Sequence, residues 1–226
     1  MVSPKSALTV IVTSVCFVLC LSANAFCSWP EFWISPGCIS GSAYGNQSSP
    51  SIARGPTNLL VVWEDERINP NSDIFGARIT PGGEMLDPTG ISICTASGWQ
   101  TWARTAAGSE NYLVVWQDDR DVDYDIYGAR IDLNGNVLDP DGFPISTGEG
   151  WESSPAVAWD GTNFLVVWSD DRNPSHPNIY GTRITPQGEI LDGAGFQISD
   201  EEIRTVSSSI TFNGSNYLVA WELSSG

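Results

Sequence analysis

The sequence predicts an all-β fold, a β-propeller-like array of four-stranded antiparallel blades with about three and a half blades present, and three observations predict it. An apolar run ending in tryptophan is written four times: Leu59-Leu60-Val61-Val62-Trp63, Tyr112-Leu113-Val114-Val115-Trp116, Phe164-Leu165-Val166-Val167-Trp168 and Tyr217-Leu218-Val219-Ala220-Trp221. The tryptophans stand 53, 52 and 53 residues apart, and self-similarity at a fixed period of this order marks a repeat architecture. Around each run lie short segments with strand character and none with helical periodicity, and four antiparallel strands in about 50 residues, repeated, describe a propeller blade.

The amino terminus stands apart from the repeats. Lys5, an apolar run from Ala7 to Leu21 and the small-x-small site Ala23-Asn24-Ala25 form a secretory signal peptide over residues 1–25. The run is also short for a membrane span, which needs roughly 20 apolar residues, so no span is expected after cleavage and the chain is expected to be secreted, extracellular or in the cell envelope. Lys5 is the single lysine; the mature chain keeps nine arginines against 27 acids, a formal charge of −18. So acidic a chain has no electrostatic footprint for nucleic acid, which requires clustered Lys and Arg. Of five cysteines, Cys16 and Cys20 leave with the signal. Cys27 and Cys38 are close enough in sequence to staple the N-terminal segment in an exported protein. Cys94 occupies a slot held by Ser35, Ser146 and Ser199 in other copies, which makes it a small buried residue rather than a nucleophile.

Each unit opens with a short alternating segment, such as Pro155-Ala156-Val157-Ala158, and a hairpin rich in Gly and Asn, such as Asp160-Gly161-Thr162-Asn163. The tryptophan run follows. It is apolar on both alternating faces, the pattern of a strand covered on both sides. An acidic loop then leads to a third strand written Asp73-Ile74-Phe75-Gly76-Ala77-Arg78-Ile79, Asp125-Ile126-Tyr127-Gly128-Ala129-Arg130-Ile131 and Asn178-Ile179-Tyr180-Gly181-Thr182-Arg183-Ile184. A glycine inside a strand is costly, so Gly76, Gly128 and Gly181 imply close approach of a bulky neighbour, with Trp63, Trp116 and Trp168 as candidates. A turn, a segment such as Val137-Leu138-Asp139 and a short last strand ending at Ile93, Ile145 or Ile198 close the unit. Three units are complete, at 51–101, 102–153 and 154–206; a partial one spans 207–226. Residues 26–50 are a lead-in in which Ile34-Ser35 forms the last strand of a preceding blade. Propellers have about four to eight blades, so the array is expected to be a piece of a longer frame, or an open arc whose exposed edges invite self-association.

The succession Leu-Val-Val-Trp, Asp-Asp-Arg, Asp-Ile-Tyr-Gly-Ala-Arg-Ile and Gly-x-x-Leu-Asp-Pro resembles a tandem repeat of uncharacterised secreted bacterial proteins usually taken for β-propellers. The resemblance covers nearly all of the mature chain and implies an extracellular setting without a settled activity. A looser likeness is to sialidase-type propellers with Asp-box motifs, Ser-x-Asp-x-Gly-x-x-Trp; Ser109-Glu110-Asn111 and Asp160-Gly161-Thr162 sit at comparable hairpins without completing that motif.

Candidate chemistry is local. Asp119, Asp121, Asp123 and Asp125 alternate along a loop in the manner of an oxygen-ligand calcium site, calcium being the one cofactor suggested, although Tyr124 stands where such a loop needs glycine. Arg67, Arg120 and Arg172 follow the tryptophans, and Arg78, Arg130 and Arg183 recur in the third strand; bidentate links to Asp73, Asp125 and the loop acids are expected. Features copied into every unit serve the fold, so function belongs where the copies differ. Those positions are the inter-unit connections carrying Tyr44, Trp99, Trp151 and Arg204, where aromatic rings offer either a stacking platform for sugar or peptide or packing between blades. No catalytic set stands out: His176 is the single histidine, beside Pro177 in a variable loop. The expectation is a secreted, non-catalytic binding or scaffold module for carbohydrate or an extracellular protein. A fragment of a sialidase-like or other carbohydrate-active hydrolase, which needs only two suitably spaced carboxylates, is the alternative, and a purely structural surface repeat the third.

Overall fold

The computed structural model describes residues 45–68, 70–121, 123–173, 177–199 and 204–224, with side chains of 204–206 and 224 excepted. The expected signal peptide, the expected strand at Ile34-Ser35, Cys27, Cys38, Tyr44 and His176 lie outside the described residues. No described helix is long and apolar enough to cross a membrane.

The described chain is all β, and its strands fall into the expected blades. Blade 1 comprises β1 (Gln47–Arg54), β2 (Leu59–Asp65), β3 (Asp73–Ile79) and β4 (Ile91–Cys94). Blade 2 comprises β5 (Gln100–Ala107), β6 (Asn111–Asp118), β7 (Asp125–Asp132) and β8 (Phe143–Ser146). Blade 3 comprises β9 (Glu152–Trp159), β10 (Phe164–Asp170), β11 (Asn178–Ile184) and β12 (Phe196–Gln197), and a two-stranded fourth sheet pairs β13 (Arg204–Phe212) with β14 (Tyr217–Ser224). Within each sheet neighbours in sequence are neighbours in space and every pairing is antiparallel. The first strands begin at Gln47, Gln100, Glu152 and Arg204, earlier than the alternation suggests, because each carries a β-bulge that breaks the period-two pattern. These first strands stand side by side, β1 against β5, β5 against β9 and β9 against β13, along the inner edge of the arc.

The double-faced apolar pattern of the second strand follows from this stacking. In β6, Tyr112, Val114 and Trp116 pack with Leu60, Val62 and Ile74 of blade 1, while Leu113 and Val115 pack with Phe164, Val166 and Trp168 of blade 3. A third cluster joins Leu165, Val167 and Ile179 to Ile210, Tyr217, Val219 and Trp221. Alternate residues of one strand therefore enter different inter-blade cores, and all eight residues of β6 are buried. Each fully covered Leu, Val or Ile contributes ~1.5–3 kcal/mol. At β14, Leu218 is 64% exposed where the equivalent Leu113 is covered.

Two expectations are corrected. The bulky neighbour nearest Gly128 is Ile145 of the last strand, whose Cδ1 would lie 2.7 Å from an added Cβ, with the Val114 carbonyl at 3.1 Å; Ile93 and Ile198 stand likewise over Gly76 and Gly181. The tryptophan instead claims the turn glycines: Trp116 Cη2 would lie 2.5 Å from a Cβ at Gly142, which also has φ of +79°. For the arginines the correction is partial: Arg67, Arg120 and Arg172 do take acids of the loop segments, as expected, but the ion pairs of the described chain do not use Asp73 or Asp125. Arg120 forms a bidentate pair with Asp118, two residues before it, at 2.9 and 2.6 Å, and Arg172 pairs with Asp170 in the same way, while Arg67 reaches Asp65 at 2.5 Å. Arg78, Arg130 and Arg183 each clasp the aspartate of the following Leu-Asp segment, Asp87, Asp139 and Asp192, through both backbone and side chain.

The first of these pairs anchors the blade. Asp118, with no exposed surface, accepts from Trp116 Nε1 at 2.7 Å and from the Arg120 backbone N–H at 3.0 Å as well as from the guanidinium. The guanidinium lies 4.1 Å from the centroid of the Tyr127 ring and donates to the Asp141 carbonyl at 2.8 Å. One carboxylate thus ties the second strand, the loop, the third strand and the last turn. Asp118→Ala leaves a buried indole N–H without an acceptor and a guanidinium without its counter-charge and is expected to cost roughly 3–5 kcal/mol, measured by urea unfolding. Arg183→Ala, at a pair with half of the arginine in water, is expected to change the midpoint little; similar costs for both would refute the assignment of Asp118 as the anchor.

Candidate functional site

Three exposed tryptophans lie at the end of the sheets where the β2–β3 type loops meet the connections between blades: Trp99, Trp102 and Trp151, at 41, 47 and 57% exposure. Trp99 and Trp151 end the connections into β5 and β9, as the sequence suggested, and neither ring belongs to an inter-blade core. Their backbone N–H groups donate to Asp119 and Asp171. Trp151 also donates through Nε1 to Asp123 of the neighbouring blade at 3.2 Å and meets the Tyr124 ring edge-on at 5.7 Å. Its indole is thus oriented on two sides and open on the remainder, the geometry of a stacking surface. Arg204 opens β13; its side chain, like Tyr44, is outside the described residues.

Among the described residues no group of three or more Asp, Glu, His or Cys is placed to hold a metal ion; Asp119 and Asp123 serve the tryptophan N–H groups. The Asp125 carboxyl is pushed up to about 6, first by burial and then by the charges of Asp121, Asp118 and Asp123. Cys94 is buried and free, its thiol held between Arg120 and the Asp141 carbonyl and pushed up to about 12 by burial, which leaves no reactive thiolate near neutral pH.

Two residues escape a reading based on exposed connections. Trp102 sits on the bulge of β5, with Glu64 of blade 1 accepting its backbone N–H at 2.7 Å. Glu152 occupies the β9 position that Gln100 holds in β5 and Gln47 in β1. The glutamine amides donate to Asp118 and Asp65, each at 3.4 Å; Glu152 has no such proton when ionised and faces the charge of Asp170. It is buried, accepts from Ser146 Oγ at 2.6 Å and Gly148 N at 3.2 Å, and its second carboxylate oxygen has no partner. Burial first, and then the charges of Asp170 and Asp125, push its carboxyl up to about 7. An alignment of the three copies exposes both departures, whereas a search for exposed charge does not.

No family model matches the chain, and no curated protein matches it in sequence. Solved structures match it in fold. An α-L-arabinofuranosidase from Lactobacillus brevis superposes with TM-score 0.53 at 12% identity, over 84% of this chain and 69% of that one. A thermostable family-43 glycoside hydrolase gives 0.51 at 13%, over 77% and 65%, and a glycosyl hydrolase from Bacteroides ovatus gives 0.53 at 10%, over 79% and 61%. The described chain spans about two thirds of the length of these proteins, and likeness at this identity establishes the propeller-like architecture alone.

Because the folded Glu152 carboxyl titrates above its ordinary 4.5, ionisation opposes the folded state, and stability falls as pH rises from 4.5 through about 7. Asp125 adds a slope of the same sign below about 6. Glu152→Gln, which restores the residue of the other blades, is expected to raise the melting temperature at pH 8, by an amount equivalent to at most roughly 3 kcal/mol, and to shrink the difference at pH 4.5. Thermal scans across that range check it; an equal shift at both pH values would show that the carboxyl is not the cause.

Proposed function

We propose that the chain is a secreted, non-catalytic binding module whose ligand is a carbohydrate, held on the loop face of the propeller. The observation that carries this reading is Trp151: more than half exposed, its indole fixed by Asp123 and Tyr124 rather than by the core. Pyranose rings present an apolar C–H face to such a surface, and their hydroxyls suit the acidic and amide groups around it. The three glycoside hydrolases just named support a sugar ligand, since they use this architecture on carbohydrates. Binding rather than turnover is favoured because the acids nearest the tryptophans are engaged: Asp119, Asp123, Asp171 and Glu64 accept from the N–H groups of Trp99, Trp151 and Trp102. Those same three neighbours favour a carbohydrate-active hydrolase as the second reading.

Affinity electrophoresis against arabinan, xylan and mannan, paired with an assay for newly released reducing ends, separates the two. Retarded migration without release is expected. Trp151→Ala is expected to weaken binding at least about tenfold, which corresponds to 1.4 kcal/mol, with little change in melting temperature. Unaltered binding, or a large loss of stability, would reassign Trp151; sustained release of reducing ends would make the chain an enzyme.

A further inference from the structure

The bulges of the innermost strands place four residues in the left-handed region: Ser49, Trp102, Ser154 and Ser207, with φ of 52, 57, 53 and 54°. Three are serines. A bulky residue in this conformation is a strained outlier that persists where the surroundings impose it. Here they do so through the Glu64 carboxylate, which takes the Trp102 N–H and is itself steadied by Ser48 Oγ at 3.0 Å. The strained tryptophan gains little burial in return, since nearly half of it faces water.

Two residues further along β5 stands Arg104, where the other innermost strands have Ser51, Ala156 and Ser209. Six arginines of the described chain are ion-paired, whereas Arg104 is partly buried with no carboxylate in contact. Its guanidinium donates to the Ala103 carbonyl at 2.9 Å and lies 5.7 Å from the centroid of the Trp102 ring. Burial lowers its proton affinity, and Glu64 is the one acid that offsets this, through space. At these two positions the other innermost strands carry small residues, and both departures fall side by side on β5: an open aromatic face and a fork of donors engaged by a backbone carbonyl and by no carboxylate.

We propose that Trp102 and Arg104 form a binding site for an acidic saccharide, the ring stacking on Trp102 and a carboxylate taken by the Arg104 guanidinium. This rests on the carbohydrate-binding reading but names a different subsite and a charged ligand. The match is chemical: a planar guanidinium meets a carboxylate through two parallel hydrogen bonds, and an aromatic ring beside it supplies the surface for the sugar. The overall negative charge of the protein slows approach of an anion but is screened beyond about 8 Å at physiological ionic strength, so the local guanidinium decides the contact.

The test compares oligogalacturonate with neutral arabino- and xylo-oligosaccharides by titration calorimetry, for the wild-type mature chain and for Trp102→Ser, Arg104→Ser and Trp151→Ala. Oligogalacturonate is expected to bind, more weakly as salt rises, with a loss of at least about tenfold in Trp102→Ser and Arg104→Ser and little change in Trp151→Ala. Neutral oligosaccharides are expected to show the reverse dependence. Trp102→Ser installs the residue of the other three strands, so its melting temperature should hold or rise. Neutral binding that depends on Trp151, with no acidic binding or with acidic binding indifferent to both β5 variants, overturns this site and leaves the general reading intact. Absence of binding to every saccharide overturns both. Unfolding of Trp102→Ser makes Trp102 a structural residue and also ends the proposal.

Discussion

A buried aspartate two residues after each of the first three repeated tryptophans is the constraint on which the blades depend. Asp65, Asp118 and Asp170 are withdrawn from water at the end of the second strand, where an isolated carboxylate would be prohibitively costly. Each is compensated by an indole N–H, a backbone N–H and a guanidinium. Satisfying it fixes the rotamer of the tryptophan, and in blades 2 and 3 the tryptophan in turn crowds the turn that leads to the last strand so that glycine is needed there. The guanidinium, once placed, lies over Phe75, Tyr127 or Tyr180 of the third strand. Loop, turn and strand order within a blade therefore follow from one electrostatic requirement.

That requirement acts inside a blade, whereas the contacts that join blades are mostly apolar and carry a few directed hydrogen bonds. Tyr112 donates to the Asn58 carbonyl in the hairpin of blade 1 at 2.7 Å, and Tyr217 to the Asn163 carbonyl in the hairpin of blade 3 at 3.2 Å. Arg78 reaches forward to the Leu133 carbonyl and Arg130 to the Pro186 carbonyl. With the frame held by repeated groups, the loop ends and the inner edge are free to vary, and the unusual residues gather there: Trp99 and Trp151 on the connections, Trp102 and Arg104 on β5, Glu152 at the start of β9.

The blade was legible in the sequence because the tryptophan run is apolar on both alternating faces, a pattern that only a strand covered on each side explains. The connections were legible for a related reason, since Trp99 and Trp151 interrupt an otherwise strict repeat. What could not be read was the choice among near neighbours. Arg120 has Asp118, Asp119, Asp121 and Asp125 within a few residues, and the direction in which the strand delivers its last side chain, not proximity in sequence, selects Asp118. The partner of Gly128 lay on the opposite flanking strand from the one expected, where Ile145 leans across. Trp102 was hidden by the bulge itself: an extra residue shifts the alternation by one, so the start of the strand no longer matches a period of two, and the unit boundary was drawn through it.

The tyrosine that closes the preceding hairpin gives the array a direction. Tyr112 and Tyr217 each insert a ring into the blade before and donate to a carbonyl of its hairpin, and Phe164 of blade 3 inserts a ring against Gly108 without a hydroxyl, so the two flanks of a blade are not interchangeable. Cohesion of this kind is a nearest-neighbour property, additive along the chain as in other repeat folds. Blades 2 and 3, gripped on both faces through β6 and β10, are the segments whose opening disrupts two interfaces at once. The strand bearing Trp102 and Arg104 belongs to one of these doubly held blades.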